Sequence, residues 1–69
     1  MDAVLEVVVN GERAKTRART LAELLIELGY GEAKVATARN GGFIPLRKRD
    51  TVELSGGDTI EIVSPRQGG

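Results

Sequence analysis

The feature that most narrows the folds open to this chain is a change of period at Thr20. Upstream, from Glu12 to about Arg19, residue types alternate every second position, with Arg13, Lys15, Arg17 and Arg19 on one face and Ala14, Thr16 and Ala18 on the other. That is the pattern of a half-buried strand. Downstream, Leu21, Leu24, Leu25 and Leu28 recur at i, i+3, i+4 and i+7, which makes one apolar face of a helix. Between the two, Thr20-Leu21-Ala22-Glu23 has the form of a capping box. There the threonine hydroxyl and the glutamate three residues on satisfy free amide donors. Gly29 stands where a left-handed C-cap belongs. A strand therefore runs directly into a helix of about ten residues. Glu23 and Glu27, one turn apart, read as its solvated face rather than as a paired-carboxylate site.

The flanking segments are strands. Ala3 to Val9 is β-branched and aliphatic, with Leu5, Val7 and Val9 on one face. Asn10-Gly11 follows it, the dipeptide that suits a type I′ hairpin because both central residues need positive φ. Lys34 to Asn40 alternates again, and Gly41-Gly42 turns it into Phe43-Ile44-Pro45, a short run that proline confines to an edge or a strand end. Leu46 to Asp50 reads as a polar connection carrying Arg47, Lys48 and Arg49. Val52 and Leu54 return to the core, Ser55-Gly56-Gly57-Asp58 forms a tight loop, and Thr59 to Val63 is the last strand, with Ile60, Ile62 and Val63 expected inside. A helix joining the second strand to the third packs across one face of a sheet. The first and last strands then pair in parallel at its centre through a right-handed crossover. The expected class is α+β, a β-grasp (ubiquitin-like) fold with a mixed sheet of four to five strands on one main helix.

With 69 residues the chain makes one small domain, and domains of this size bury only about 60% of their unfolded surface. It has no cysteine and no histidine, so it has neither a thiolate nucleophile nor the commonest general base and metal ligand. Ten basic residues balance ten acidic ones, which argues against nucleic acid or membrane as partner. No basic N-terminal segment is present and Glu6 interrupts the first apolar run, so the expected location is cytoplasmic. The basic stripe Arg13, Lys15, Arg17 and Arg19 reads first as a solvated, edge-protecting face. Its functional alternative is docking to an acidic partner surface.

The sequence stops at Ser64-Pro65-Arg66-Gln67-Gly68-Gly69, directly after the last strand. Pro65 disfavours further pairing, so the expected division is a β-grasp domain over residues 1–63 and a flexible tail over 64–69. A main-chain carboxylate on Gly-Gly has no side chain beside it and can enter a channel too narrow for any other residue.

These pieces taken together carry a resemblance. Val9-Asn10-Gly11-Glu12, Thr20-Leu21-Ala22-Glu23-Leu24-Leu25, Asn40-Gly41-Gly42-Phe43-Ile44-Pro45, Gly57-Asp58-Thr59-Ile60-Glu61-Ile62 and Gln67-Gly68-Gly69 occur in order along nearly the whole chain. In this the chain resembles the ThiS family, the small sulfur carrier proteins of thiamine (thiazole) biosynthesis. It departs from the family pattern at Arg39, where relatives usually carry an aliphatic residue, and at Leu46, where arginine is common.

The resemblance implies a carrier and co-substrate rather than an enzyme. The Gly69 carboxylate is adenylated by a partner activating enzyme similar to ubiquitin-activating enzymes, then converted to a thiocarboxylate that thiazole synthase uses as its sulfur source. Arg66, Gln67 and Gly68 form the tail that delivers it. ATP and magnesium belong to the activating enzyme, a sulfur donor such as a cysteine desulfurase supplies the persulfide, and the chain itself binds no cofactor or metal and is a monomer when free. Related carriers serve molybdopterin synthesis, tRNA thiolation or cysteine synthesis. A single phenylalanine favours thiamine over molybdopterin, whose carrier is richer in that residue. Two further classes are a protein modifier joined through Gly69 to a partner lysine, and a non-covalent RNA-binding module using the basic stripe. The zero net charge and single phenylalanine weigh against the last.

Overall fold

The computed structural model describes residues 3–31 and 33–64. Its strands are β1 (Leu5–Val9), β2 (Glu12–Thr16), β3 (Ala36–Arg39), β4 (Gly42–Ile44) and β5 (Thr59–Val63), with one α-helix, α1 (Leu21–Glu27), and a 3-10 helix over Leu46–Thr51. The sheet order is β2-β1-β5-β3-β4. β1 and β5 are parallel at the centre, whereas β1–β2, β3–β5 and β3–β4 are antiparallel. This is the expected β-grasp with five strands. Val7, Leu21, Leu24, Leu25, Leu54, Ile60 and Ile62 are buried between sheet and helix.

Both hairpins turn on Asn-Gly. Asn10 and Gly11 have φ of 50° and 87°, and Asn40 and Gly41 have 51° and 86°, the double positive φ of a type I′ turn. The second turn therefore lies one residue earlier than the expected Gly41-Gly42, and Gly42 is the first residue of β4. The reason is tertiary. The side-chain oxygen of Asn40 accepts from the Thr59 amide at 2.9 Å, and its NH2 donates to Asp58 Oδ1 at 3.1 Å. Asn10 does the same from the other side: Ile62 N donates to its Oδ1 at 2.8 Å, and its Nδ2 donates to Ile62 O at 3.1 Å. Where the backbone of β1 turns away, the carboxamide of Asn10 continues the ladder onto β5.

Other expectations shift for local reasons. β2 ends at Thr16, not Arg19, because the Thr16 hydroxyl accepts from the Ala18 amide at 2.9 Å and bends the chain out of the β1 ladder. Beyond it the backbone pairs elsewhere, with Leu54 N donating to Arg19 O and Leu21 N to Val52 O. The Thr20 hydroxyl caps α1 through Glu23 N, while Glu23 Oε1 accepts from Arg19 N rather than from the cap residue itself. Glu27, expected only to face solvent, accepts from the Thr16 hydroxyl.

The helix has seven residues and stops at Glu27. Gly29 N bonds Ile26 O and Tyr30 N bonds Leu25 O, the paired bonds of a Schellman motif, with Gly29 at φ 91°. Leu28 thereby leaves the buried face and is exposed. β3 begins at Ala36, two residues after the expected Lys34. Val63 is 60% exposed, not buried, because the alternation of β5 puts Ile60 and Ile62 inside and Val63 outside.

The two carboxamide clamps yield a stability test. Asn10→Gly keeps a residue at ease with positive φ but removes both bonds to Ile62, so chemical denaturation should register a loss of about 1–3 kcal/mol. Asn10→Asp retains the acceptor for the Ile62 amide and should lose less.

Candidate functional site

The tail residues named from sequence, Arg66, Gln67, Gly68 and Gly69, lie outside the described residues. What the structure does place is the strand that launches them. β5 is the central strand, and Ala36 at the start of β3 pairs with Val63 at its end, so the chain leaves the sheet beside the segment leading into β3.

The register also locates the basic stripe. Val8 pairs with both Arg13 of β2 and Thr59 of β5, which puts Arg13 level with the beginning of β5, about 13 Å short of Val63 at the rise of a strand. Lys15 pairs with Glu6 and lies further still from that end. Arg17 and Arg19 follow beyond the strand. All four are exposed. The structure thus brings Arg13 and Lys15 together on β2 but does not bring the stripe to the root of the tail.

A different set of residues stands there. A groove of about 730 Å³ lies beside Val63, lined by Lys34, Val35, Ala36, Leu46 and Arg49. Leu46 is 74% exposed at its lip, whereas Arg49 is only 6% exposed. Sequence gave no sign of this difference within the run Arg47-Lys48-Arg49. The 3-10 helix turns the third of these cations inward, where Nε donates to Thr37 Oγ1 at 3.1 Å and Nη2 to Val35 O at 2.6 Å. The Thr37 hydroxyl in turn donates to Ile44 O at 2.8 Å. The buried guanidinium ties the 3-10 helix to β3 and through it to β4. Burying a charge is costly unless hydrogen bonds compensate it, and here the compensation comes from a hydroxyl and a carbonyl. Among the described residues the ion pair within 4 Å is Arg39–Asp58, at 2.9 Å, not one to Arg49.

Arg39, the departure noted in sequence, thus has a structural role. Asp58 Oδ2 accepts from Arg39 Nε and from Ser55 N, at 2.9 and 2.8 Å, and Oδ1 accepts from Asn40. Burial alone would raise the Asp58 pKa. The bonds from Ser55, Asn40 and Arg39, together with the charge of Arg39, outweigh it and hold the carboxyl below the ordinary aspartate value. This cluster closes the loop over residues 55–58 at the start of β5. Every donor around Asp58 is engaged in holding that loop, which makes it a structural rather than a reactive carboxylate. Among the described residues no group of His, Cys, Asp or Glu could hold a metal ion, and no helix is long and apolar enough to cross a membrane.

Comparison with known proteins places this arrangement. The family model described as the ThiS family matches residues 4–69. A crystal structure of a thiamine biosynthesis protein (ThiS) from Geobacter metallireducens superposes with a TM-score of 0.78 at 26% identity, covering 94% of this chain and 100% of that one. Among curated proteins nothing matches in sequence.

Because the folded pKa of Asp58 lies below the unfolded value of about 3.9, its carboxylate stabilises the fold fully above that pH. The contribution fades as pH falls through the lower, folded value. Urea denaturation between neutral pH and about pH 2 should show wild type losing more stability below about pH 4 than Asp58→Asn does. Parallel profiles for the two proteins would contradict the assignment.

Proposed function

This chain belongs to the ThiS family, and from that premise we propose that it is a sulfur carrier of thiamine biosynthesis, with Gly69 as the group that carries the sulfur. The observation that bears most weight is the extent of the family match, which runs through the sheet and on to Gly69 itself. The fold suits the role, since a central strand bonded along both edges gives the following residues a fixed point of departure.

An α-carboxyl titrates near 3.5, so Gly69 offers a carboxylate at neutral pH. In the proposed sequence one of its oxygens attacks the α-phosphorus of ATP, bound with magnesium by an adenylating partner, and pyrophosphate leaves. The terminal sulfur of a persulfide, supplied through a donor such as a cysteine desulfurase, attacks the acyl carbon of the adenylate and AMP leaves. A thiol then cleaves the S–S bond of the resulting acyl disulfide, and the thiocarboxylate remains on Gly69. Thiazole synthase takes its sulfur from there. The chain acts as co-substrate throughout, and the groups that catalyse each step belong to its partners.

Gly69→Val puts a β-branched side chain beside the reacting carboxylate, where a channel shaped for glycine has no room for it. ATP–pyrophosphate exchange with the adenylating partner should fall at least about tenfold, equivalent to 1.4 kcal/mol or more. The melting temperature should stay unchanged, because Gly69 lies beyond β5. Undiminished exchange would contradict a channel shaped for glycine, since the variant keeps its terminal carboxylate.

A further inference from the structure

Asparagine is among the chemically labile residues, and it is most exposed to attack when glycine follows, because no side chain hinders the glycine amide nitrogen. The chain has two asparagines, Asn10 and Asn40, and glycine follows each. All four residues are exposed. A Cβ placed on Gly11 or Gly41 would meet nothing within 4 Å, so both sites stand open. Among the described residues neither glycine amide donates to a backbone carbonyl, which leaves its proton open to solvent base.

What opposes reaction is the hold on each carboxamide. Ring closure requires the asparagine Cγ to swing onto the nitrogen of the following glycine. It cannot do so while Oδ1 and Nδ2 are both bonded elsewhere. At Asn10 both partners are backbone groups of Ile62, at 2.8 and 3.1 Å. At Asn40 the oxygen accepts from Thr59 N at 2.9 Å, but the nitrogen donates to Asp58 Oδ1 at 3.1 Å. That carboxylate is itself fixed by Ser55 N and Arg39. A bond to a charged acceptor is roughly twice as strong as one between neutral groups. The two turns thus share one geometry but differ in what restrains them.

We propose that Asn10-Gly11 and Asn40-Gly41 are sites of spontaneous deamidation held in check by the clamps on β5, with Asp58 the side chain that restrains Asn40. The glycine amide nitrogen gives its proton to solvent base and attacks Cγ. The bond from Cγ to Nδ2 breaks, the nitrogen takes up a proton, and ammonia leaves behind a succinimide. Water then opens the ring. Attack at Cγ gives aspartate, and attack at the main-chain carbonyl gives isoaspartate. No oxidant or reductant is needed. At Asn40 the aspartate product sets a carboxylate against that of Asp58, where an NH2 had donated, and like charges so placed repel. At Asn10 it sets an oxygen against Ile62 O. Either product weakens the hold on the central strand. The inference stands apart from the carrier reading, since it involves neither the tail nor a partner.

The test follows the full chain at neutral pH and constant temperature, with peptide mapping by mass spectrometry to time the replacement of NH2 by OH at each site. Trypsin cuts at Arg13 and Arg39 and so leaves the two asparagines in different peptides. Wild type unfolded in urea should deamidate at both sites at least about tenfold faster than folded wild type. In the folded protein Asp58→Ala should speed Asn40 by about tenfold and leave Asn10, the internal reference, as it was. Asp58→Asn keeps an acceptor oxygen and should speed Asn40 less. Circular dichroism verifies folding, and if Asp58→Ala does not fold, Asp58→Asn makes the same comparison between the two sites. Equal rates in folded and unfolded wild type would overturn the proposal. So would an Asp58 variant that speeds both sites alike, which marks general loosening, or one that speeds neither.

Discussion

The rest of the structure depends on how β5 is held. It lies at the centre of the sheet, with β1 from the first half of the chain on one side and β3 from the second half on the other. Each of those neighbours ends or begins at an Asn-Gly turn whose asparagine reaches across to β5. An asparagine side chain carries the same donor and acceptor pair as a peptide group, so it extends a ladder after the backbone has turned away. Its tolerance of positive φ lets the same residue make the turn. One residue type therefore closes the hairpin locally and fastens the central strand globally, at two places related by the sheet. In a domain too small to bury a deep core, such double use matters more than it does in a large one.

Charge plays a second, quieter part. Asp58 gathers Ser55, Asn40 and Arg39 at the start of β5, while Arg49 fastens the 3-10 helix to β3 near the end of β5. The two clusters differ in kind. The first pairs a carboxylate with a guanidinium and amides. The second buries a guanidinium against neutral acceptors, a hydroxyl and a carbonyl, beside the groove next to Val63.

Much of this was legible in the sequence because the signals were local. The change of period at Thr20, the Asn10-Gly11 turn, the helix stop at Gly29 and the parallel pairing of first and last strands all follow from propensity, capping and topology rules. What escaped was decided by distant contacts. Asn40-Gly41 and Gly41-Gly42 both offer a turn, and only the bonds of Asn40 to Thr59 and Asp58 choose between them. The alternation of burial continues from Arg13 to Arg19 although the ladder stops at Thr16, so periodicity alone had no way to mark the end of β2. Arg47, Lys48 and Arg49 are equivalent cations in a list of residues, and the winding of the 3-10 helix makes Arg49 the buried one. The chemistry of the tail was read from a resemblance and from the absence of side chains on Gly68 and Gly69, and those residues lie outside the described ones.

The central claim is that sulfur travels on Gly69, and intact mass spectrometry of the protein isolated from its own cells tests it most directly. The account predicts a fraction in which one oxygen has been replaced by sulfur, with fragmentation placing the exchange at Gly69. A protein that keeps only its free carboxylate, even after incubation with the adenylating enzyme, ATP and a persulfide donor, would contradict it. So would a lysine-linked remnant at Gly69, which would mark the chain as a protein modifier instead.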